Sequence, residues 1–187
     1  MRDFKNDENF IEATKTWIQK AVIGLNLCPF AKFTYNQNTI RYVLSRATSE
    51  QLLSDELLNE LKVLQNADVF AIETTLIIHP FVFQDFLDQN DYLDVVDEIL
   101  DNNGLVGIFQ IANFHPNFQF ADRKSEHITN YVNRSPFPTL HLLREESVEH
   151  AILSHPNIDT IYQTNKMTMK KLGIDGFRNL FNEHFES

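Results

Sequence analysis

Cysteine is almost absent from this sequence of 187 residues, which contains only Cys28. A single cysteine excludes an intramolecular disulfide and any zinc site built from several thiolates. Cys28 also follows the end of a predicted helix, whereas the pKa of a thiol is lowered at the start of a helix. We therefore expect a buried, unreactive thiol, and a nucleophilic Cys28–His pair is the alternative.

Long apolar runs and clusters of basic residues are also missing. No stretch approaches the roughly 18 apolar residues needed to span a bilayer, and residues 1–10 lack the apolar core of a signal peptide. The formal net charge is −10, from 16 Lys+Arg against 26 Asp+Glu. Such a surface repels a phosphate backbone. These features predict a cytoplasmic protein that binds neither nucleic acid nor membrane. They do not indicate how many copies of the chain associate.

Apolar periodicity predicts the order of the secondary-structure elements. The predicted helices cover residues 7–25, 49–64, 81–100 and most of 147–185, with breaks at Pro156 and Gly173. The predicted strands cover residues 41–46, 69–79, 105–114 and 139–143. Strands that alternate with helices form parallel crossovers, so the first three should run in one direction. The sequence predicts a single α/β domain (α+β is the alternative) with a mixed, largely parallel sheet of about four strands flanked by helices.

Two of the predicted strands end in a histidine that is followed by proline. His79 ends one strand and His115 ends another. If these strands are parallel, both imidazoles lie at the carboxyl edge of the sheet, where open α/β proteins bind their ligands. His141 lies near the start of the fourth strand, and it would return to the same edge if that strand is antiparallel. The sequence therefore predicts that the three histidines form one cluster.

A histidine cluster can have three roles: metal binding, acid/base catalysis or a structural role. Three neutral imidazoles can hold Zn²⁺ or Fe²⁺ with a free position for water, and two histidines with Glu73 or Asp122 can do the same. Without a metal, the imidazoles can act as general acids and bases. The third possibility is that they are hydrogen-bonded structural groups, and the sequence contains no HExxH, Walker, GxGxxG or GxSxG motif.

The segment after the third strand, residues 115–138, is long for a loop in a compact domain and carries a local excess of positive charge. Its Arg134 offers a planar fork for a carboxylate or a phosphate, so we expect it to hold the charge of a substrate. Further substrate-binding residues predicted for the same site are Asn113, Asn133, Ser135, Arg144 and Glu73. The alternative is that the polar groups of the loop fasten it through backbone carbonyls and carboxylates.

Four segments of the chain resemble the signature blocks of a bacterial family catalogued as domain of unknown function 1415. They are WIQKAVIGLNLCPFAKF, ETTLIIHP, FQIANFHPNFQFA and NRSPFPTLHLLRE. The resemblance covers nearly the whole chain but implies no reaction. The sequence departs from the family pattern at Asp122-Arg123, where the family tends to have Gly-Thr.

The sequence as a whole predicts an enzyme that acts on a small anionic molecule. His79, His115 and His141 would be its metal ligands or acid/base groups, with a divalent metal (Zn²⁺ or Fe²⁺) as the candidate cofactor. A non-catalytic module that binds a small molecule or a partner in the same pocket is the second hypothesis. A histidine/cysteine hydrolase without a metal is the third.

Overall fold

The computed structural model describes residues 7–154 and 158–181. The helices are α1 (Asp7–Trp17), which continues into a π-helical turn (Ile18–Ile23), α2 (Ala31–Asn36), α3 (Glu50–Asn66), α4 (Phe86–Asn102), a 3₁₀-helix (Ile128–Val132), α5 (Glu145–Ser154) and α6 (Ile158–Asn179). The strands are β1 (Ile40–Leu44), β2 (Thr74–Ile78), β3 (Phe109–Phe114) and β4 (Thr139–Arg144). None of the described helices has the length and apolar character needed to cross a membrane.

Side-chain caps and one glycine set several helix boundaries. The Ser49 hydroxyl accepts a hydrogen bond from the Leu52 N–H, which starts α3 at the predicted place. Asp85 accepts from the Leu87 N–H at 2.8 Å, so α4 begins later than the sequence pattern predicts. Gly173 has non-helical dihedral angles within α6 (φ 70°), which confirms the predicted break. The other predicted break, at Pro156, lies outside the described residues.

The first part of the predicted second strand forms a turn. The Asp68 carboxylate accepts from the Phe70 N–H at 2.7 Å, and the Asp68 carbonyl accepts from Ala71 and Ile72. An Asp side chain that bonds the backbone two residues further on stabilises a turn over a strand. The β2 strand therefore begins at Thr74 and contains five residues.

The sheet has the strand order β1-β2-β4-β3. Strands β1 and β2 are parallel, and β4 is antiparallel to both of its neighbours, β2 and β3. Strands β1, β2 and β3 therefore run in one direction, which confirms that prediction, and the protein has the predicted α/β fold with a mixed sheet. The start of β4 lies beside the end of β2, since Thr139 pairs with Ile78.

Helices bury both faces of the sheet. One face carries Ile77 and Leu140, which are fully buried in a cluster with residues of α3 and α4. The other face carries Leu76, which packs with Trp17 of α1 and Met169 of α6. Because side chains alternate along a strand, Leu76 and Ile77 point to opposite faces. We refer to the two sides as the α3/α4 face and the α1/α6 face.

Candidate functional site

His79 and His115 lie at the same edge of the sheet, as predicted. His79 directly follows β2, and its N–H donates to the Pro138 carbonyl at 2.9 Å. His115 directly follows β3, and its N–H donates to the Asn133 carbonyl at 3.3 Å. Because β4 lies between β2 and β3, the two backbones are about 10 Å apart, twice the usual strand spacing. The two residues are 0% and 1% exposed.

His141 points to the opposite face of the sheet, so the predicted cluster of three histidines is wrong. His141 pairs directly with Leu76 of β2, and directly paired residues share a face. His79 follows Ile77 by two residues, so its side chain points to the same face, which is the α3/α4 face. The His141 ring contacts Phe114 instead, with ring centroids 6.0 Å apart. The residues on either side of His141 in β4 point to the face of His79, because a shift of one residue along a strand reverses the face of the side chain.

The hydrogen bonds of His141 are those of a structural group. Its Nε2 lies 2.8 Å from Thr74 Oγ1, and the Thr74 hydroxyl donates its own proton to the Leu142 carbonyl. The imidazole is therefore the donor to Thr74. Burial lowers the pKa of His141 to about 4, so the ring is neutral at pH 7.

The predicted metal site is not formed either. Within residues 7–154 and 158–181, no three His, Cys, Asp or Glu side chains are grouped so that they could hold a metal ion. Glu73 precedes β2 and therefore lies at the edge of the sheet opposite to His79. Asp122 is exposed and pairs with Arg123 at 3.0 Å. Neither carboxylate completes a site with the two histidines, which contradicts the predicted Zn²⁺ or Fe²⁺ site.

The His79 ring has one nitrogen bonded and one free. Nδ1 lies 3.4 Å from the Val82 carbonyl oxygen, which can only accept, so Nδ1 carries the proton. Nε2 is then a bare acceptor, and it is buried with no hydrogen-bond partner among the described residues. Burial, with a smaller contribution from the nearby His115, lowers the pKa of His79 to about 4. The structure therefore places a neutral imidazole with an unused lone pair inside the protein.

Both ring nitrogens of His115 are engaged. Nε2 donates to the Phe83 carbonyl at 3.2 Å, and Nδ1 accepts from the Asn117 N–H at 3.0 Å. Burial lowers the pKa of His115, against the opposing effects of the Phe83 carbonyl and Asp85. His115 thus joins residues 80–85 to the loop that follows β3.

Residues 80–85, which we call the cover segment, close over the two imidazoles. The Phe83 ring lies 6.3 Å from the His79 ring and 4.7 Å from the Tyr92 ring, measured between centroids. The Gln84 side chain donates to the Pro80 carbonyl at 2.6 Å and closes the turn. Phe83 has φ 55°, a left-handed conformation that costs an aromatic residue on the order of 1–3 kcal/mol. The neighbouring contacts hold this strained turn closed.

Other buried polar atoms near this face also lack partners in the described part of the chain. They are Asn113 Nδ2, Gln89 Oε1 and Thr75 Oγ1. Asn113 shares a face of β3 with His115, as alternation predicts. Gln89, which sequence reasoning missed, belongs to the first turn of α4 and donates through Nε2 to the Phe114 carbonyl at 3.2 Å. Because buried polar atoms are nearly always bonded, each of these unbonded atoms requires an explanation.

Arg134 fastens the loop between β3 and β4. Its Nε donates to the Phe118 carbonyl at 3.2 Å and its Nη2 to the Ser125 carbonyl at 2.6 Å. Its guanidinium also stacks on the Tyr131 ring, 4.4 Å from the centroid. These contacts agree with the alternative prediction, in which the polar groups of the loop fasten it through backbone carbonyls. Arg134 is still close enough to His115 for its charge to lower the histidine pKa.

The neighbours of Arg134 make local backbone contacts. The Ser135 hydroxyl donates to the Phe137 carbonyl at 2.6 Å, and Asn133 offers its carbonyl to His115. Asn130, which sequence reasoning did not select, is fully buried and crosslinks the loop. Its Oδ1 accepts from the Phe120 N–H, while its Nδ2 donates to the Lys124 and Ser125 carbonyls. The polar side chains of the loop therefore fasten it to its own backbone.

Arg144 lies at the wrong edge of the sheet for the predicted site. Its Nη2 donates to the carbonyls of Leu64, Ala67 and Ile72 at 2.6, 3.0 and 3.1 Å. Because β4 is antiparallel to β2, its end lies beside the start of β2, away from His79. Arg144 and Glu73 therefore cannot share a site with the two histidines, and their predicted substrate-binding role is corrected.

Cys28 lies between the π-helical turn and α2 and is partly buried. The expectation of a fully buried thiol is therefore not met.

The chain matches the family described as "Protein of unknown function (DUF1415)" over residues 9–179. The chain belongs to this family. No curated protein and no solved structure matches it. The segment in which this DUF1415 chain departs from the expected pattern, Asp122-Arg123, lies on the loop after β3, remote in sequence from both β2 and the cover segment.

Proposed function

We propose that this DUF1415 protein is an enzyme that acts on a small anionic molecule at the carboxyl edge of its sheet. In this proposal His79 is the proton acceptor and His115 is a positioning residue that holds the cover segment. The observation that carries the proposal is the Nε2 atom of His79, which is buried without a partner in the described structure. An unbonded lone pair next to a strained turn is a costly arrangement, and such arrangements cluster at functional sites.

The protonation state of His79 fits a general base. The Val82 carbonyl holds the proton on Nδ1, which leaves Nε2 free to take a proton from a substrate. A pKa of about 4 makes the imidazole a weak base while the site is closed. When the cover segment opens and an anion binds, hydration and the negative charge both raise the pKa toward neutral pH, where general bases work best.

The positive charge beside His115 supports an anionic substrate. Arg134 stacks on Tyr131 and is close enough to His115 for its charge to lower the pKa of that histidine. A guanidinium attracts a carboxylate or a phosphate of a substrate. The other arginine near this edge, Arg46, pairs with Asp7 of α1 and therefore belongs to the opposite face of the sheet.

Thermal unfolding in the presence of small anions tests the binding step. Inorganic phosphate, malonate and benzoate are titrated separately, and we expect at least one of them to raise Tm by mass action. His79→Leu should lose this response, whereas His141→Leu, which changes the histidine of the opposite face, should keep it. An equal response of wild type and His79→Leu would contradict the proposal.

Histidine NMR tests the proton-acceptor role. Long-range ¹H–¹⁵N correlations of the free protein should show His79 with its proton on Nδ1, and the anion that raised Tm should raise its pKa. If His79 instead titrates near its ordinary pKa in the free protein, the imidazole is not sealed as the structure has it, and the argument from the buried lone pair is withdrawn.

A non-catalytic binding module is the second candidate. It is favoured by the complete burial of His79 and His115, since a ligand enclosed beneath the cover segment would dissociate slowly. Retention of a small molecule through purification, released only on denaturation and without turnover, would favour this candidate over the enzyme.

A further inference from the structure

Ser45 lies beside His79 in the neighbouring strand. The Ser45 N–H donates to the Ile78 carbonyl at 2.8 Å, which extends the pairing of β1 with β2 by one residue. Since Leu44 pairs with Ile78, Ser45 is level with His79, about 4.8 Å away between backbones. Both side chains point to the α3/α4 face, and Ser45 is 1% exposed.

The hydrogen bonds of these two residues are complementary. Ser45 Oγ accepts from the Ala47 N–H at 3.0 Å, and its own hydroxyl proton is still available to an acceptor. His79 Nε2 is an acceptor that has no partner in the described residues. The Val82 carbonyl keeps the His79 proton on Nδ1, which is the orienting role that a carboxylate has in a catalytic triad. The two groups are not hydrogen-bonded to each other in the described structure, so the serine side chain has to turn toward Nε2 before they can react.

We infer that Ser45 is a nucleophile, with His79 as its general base, for acyl transfer from a small carboxylic ester or thioester. This inference rests on the proposed function of His79. Ser45 Oγ attacks the carbonyl carbon while its proton moves to His79 Nε2, and the carbonyl electrons move onto the oxygen. The carbonyl re-forms, the bond to the leaving alcohol or thiol breaks, and that group takes the proton from His79. Water then releases the acid from Ser45 by the same steps.

The cover segment determines when this pair can react. The Phe83 ring packs against His79, so an ester reaches Ser45 only after residues 80–85 move. The left-handed conformation of Phe83 makes that movement easier, because the strain is released when the turn opens. In the closed state the same segment keeps water from the serine.

Acetylation by p-nitrophenyl acetate tests the inference. The full-length protein, with Cys28→Ser to remove thiol acylation, should release a burst of p-nitrophenolate and gain the mass of one acetyl group. Peptide mapping should place the acetyl group on Ser45. His79→Gln should slow acetylation by about 10²- to 10⁴-fold, the usual contribution of a general base.

Ser45→Ala should abolish the burst, whereas Ser54→Ala should retain it. Ser54 is a matched control, because it is a partly buried serine of α3 that bonds to Tyr92 Oη. Acetylation of any other residue overturns the inference, and this result does not depend on whether Ser45→Ala folds. If phosphate, malonate or benzoate binds in a His79-dependent manner but Ser45 is not acetylated, the nucleophile is wrong and the proposed function stands. If neither occurs, both fail.

Discussion

The free energy of unfolding should respond differently when each of the two buried histidines of the carboxyl edge is replaced by leucine. His115→Leu removes the hydrogen bonds to the Phe83 carbonyl and from the Asn117 N–H. Each bond contributes about 1 kcal/mol, and each partner left unbonded adds a desolvation cost of about 1–3 kcal/mol. We expect the free energy of unfolding to fall by about 2–4 kcal/mol, which is less than the full sum of these terms because water re-bonds part of what the substitution leaves unbonded.

His79→Leu removes an acceptor that already lacks a partner. The substitution loses one long contact of 3.4 Å to the Val82 carbonyl, worth less than about 1 kcal/mol, and it relieves the cost of the unbonded Nε2, about 1–3 kcal/mol. The two side chains have similar volume, so the cavity term is small. The substitution also leaves the Val82 carbonyl without its donor, which offsets part of this gain, so we expect the stability of His79→Leu to be unchanged or higher by at most about 1 kcal/mol.

Urea denaturation at pH 7, followed by both fluorescence and circular dichroism, measures this difference. The midpoint should fall for His115→Leu and stay or rise for His79→Leu, with the m-value constant in both variants. Equal destabilisation of the two variants would refute the reasoning, because it would mean that Nε2 of His79 has a partner of its own.

Two further predictions concern the rest of the fold. Stability should fall as the pH falls from about 6.5 to 4, because His79 and His141 have a pKa of about 4 in the folded protein and the unfolded chain therefore binds protons first. Each histidine contributes at most about 3 kcal/mol of stability over this pH range. The urea midpoint of His141→Leu should therefore depend less on pH than that of the wild type. An unchanged slope would contradict this prediction. Arg144→Met should lower the free energy of unfolding by about 3 kcal/mol, since it leaves three carbonyls between α3 and β2 without their donor. A change below 0.5 kcal/mol, in the range usual for surface sites, would show that water replaces the guanidinium.

Local physical chemistry made several features of the fold predictable from the sequence. Apolar spacing gave the helices and strands, Ser49 marked the start of α3, and Gly173 marked the break within α6. The common direction of β1, β2 and β3 followed from the handedness of strand–helix–strand crossovers, and with it the shared edge of His79 and His115. The short helix α2 was not predicted, because six residues are too few for a periodic pattern.

The candidate site was predictable only in part, because its composition depends on pairing between strands that are distant in sequence. The register of β4 against β2 turns His141 to the α1/α6 face, and the direction of β4 carries Arg144 to the far edge. Local periodicity predicts neither the register nor the direction of β4, and a shift of one residue in the register reverses every side chain of the strand. Ser45 gave only a weak signal, a polar residue at the end of a strand, and its relation to His79 arises from the β1–β2 register.

The sequence by itself determined most of the helices and strands, the common direction of three strands and the edge of the sheet that receives two histidines. Only the tertiary structure decided which face each histidine occupies and which of its nitrogens is bonded. The physical reason is that secondary structure depends on contacts within a few residues, whereas the hydrogen bonds of His79 and His115 depend on a turn and a loop brought together by the packed sheet.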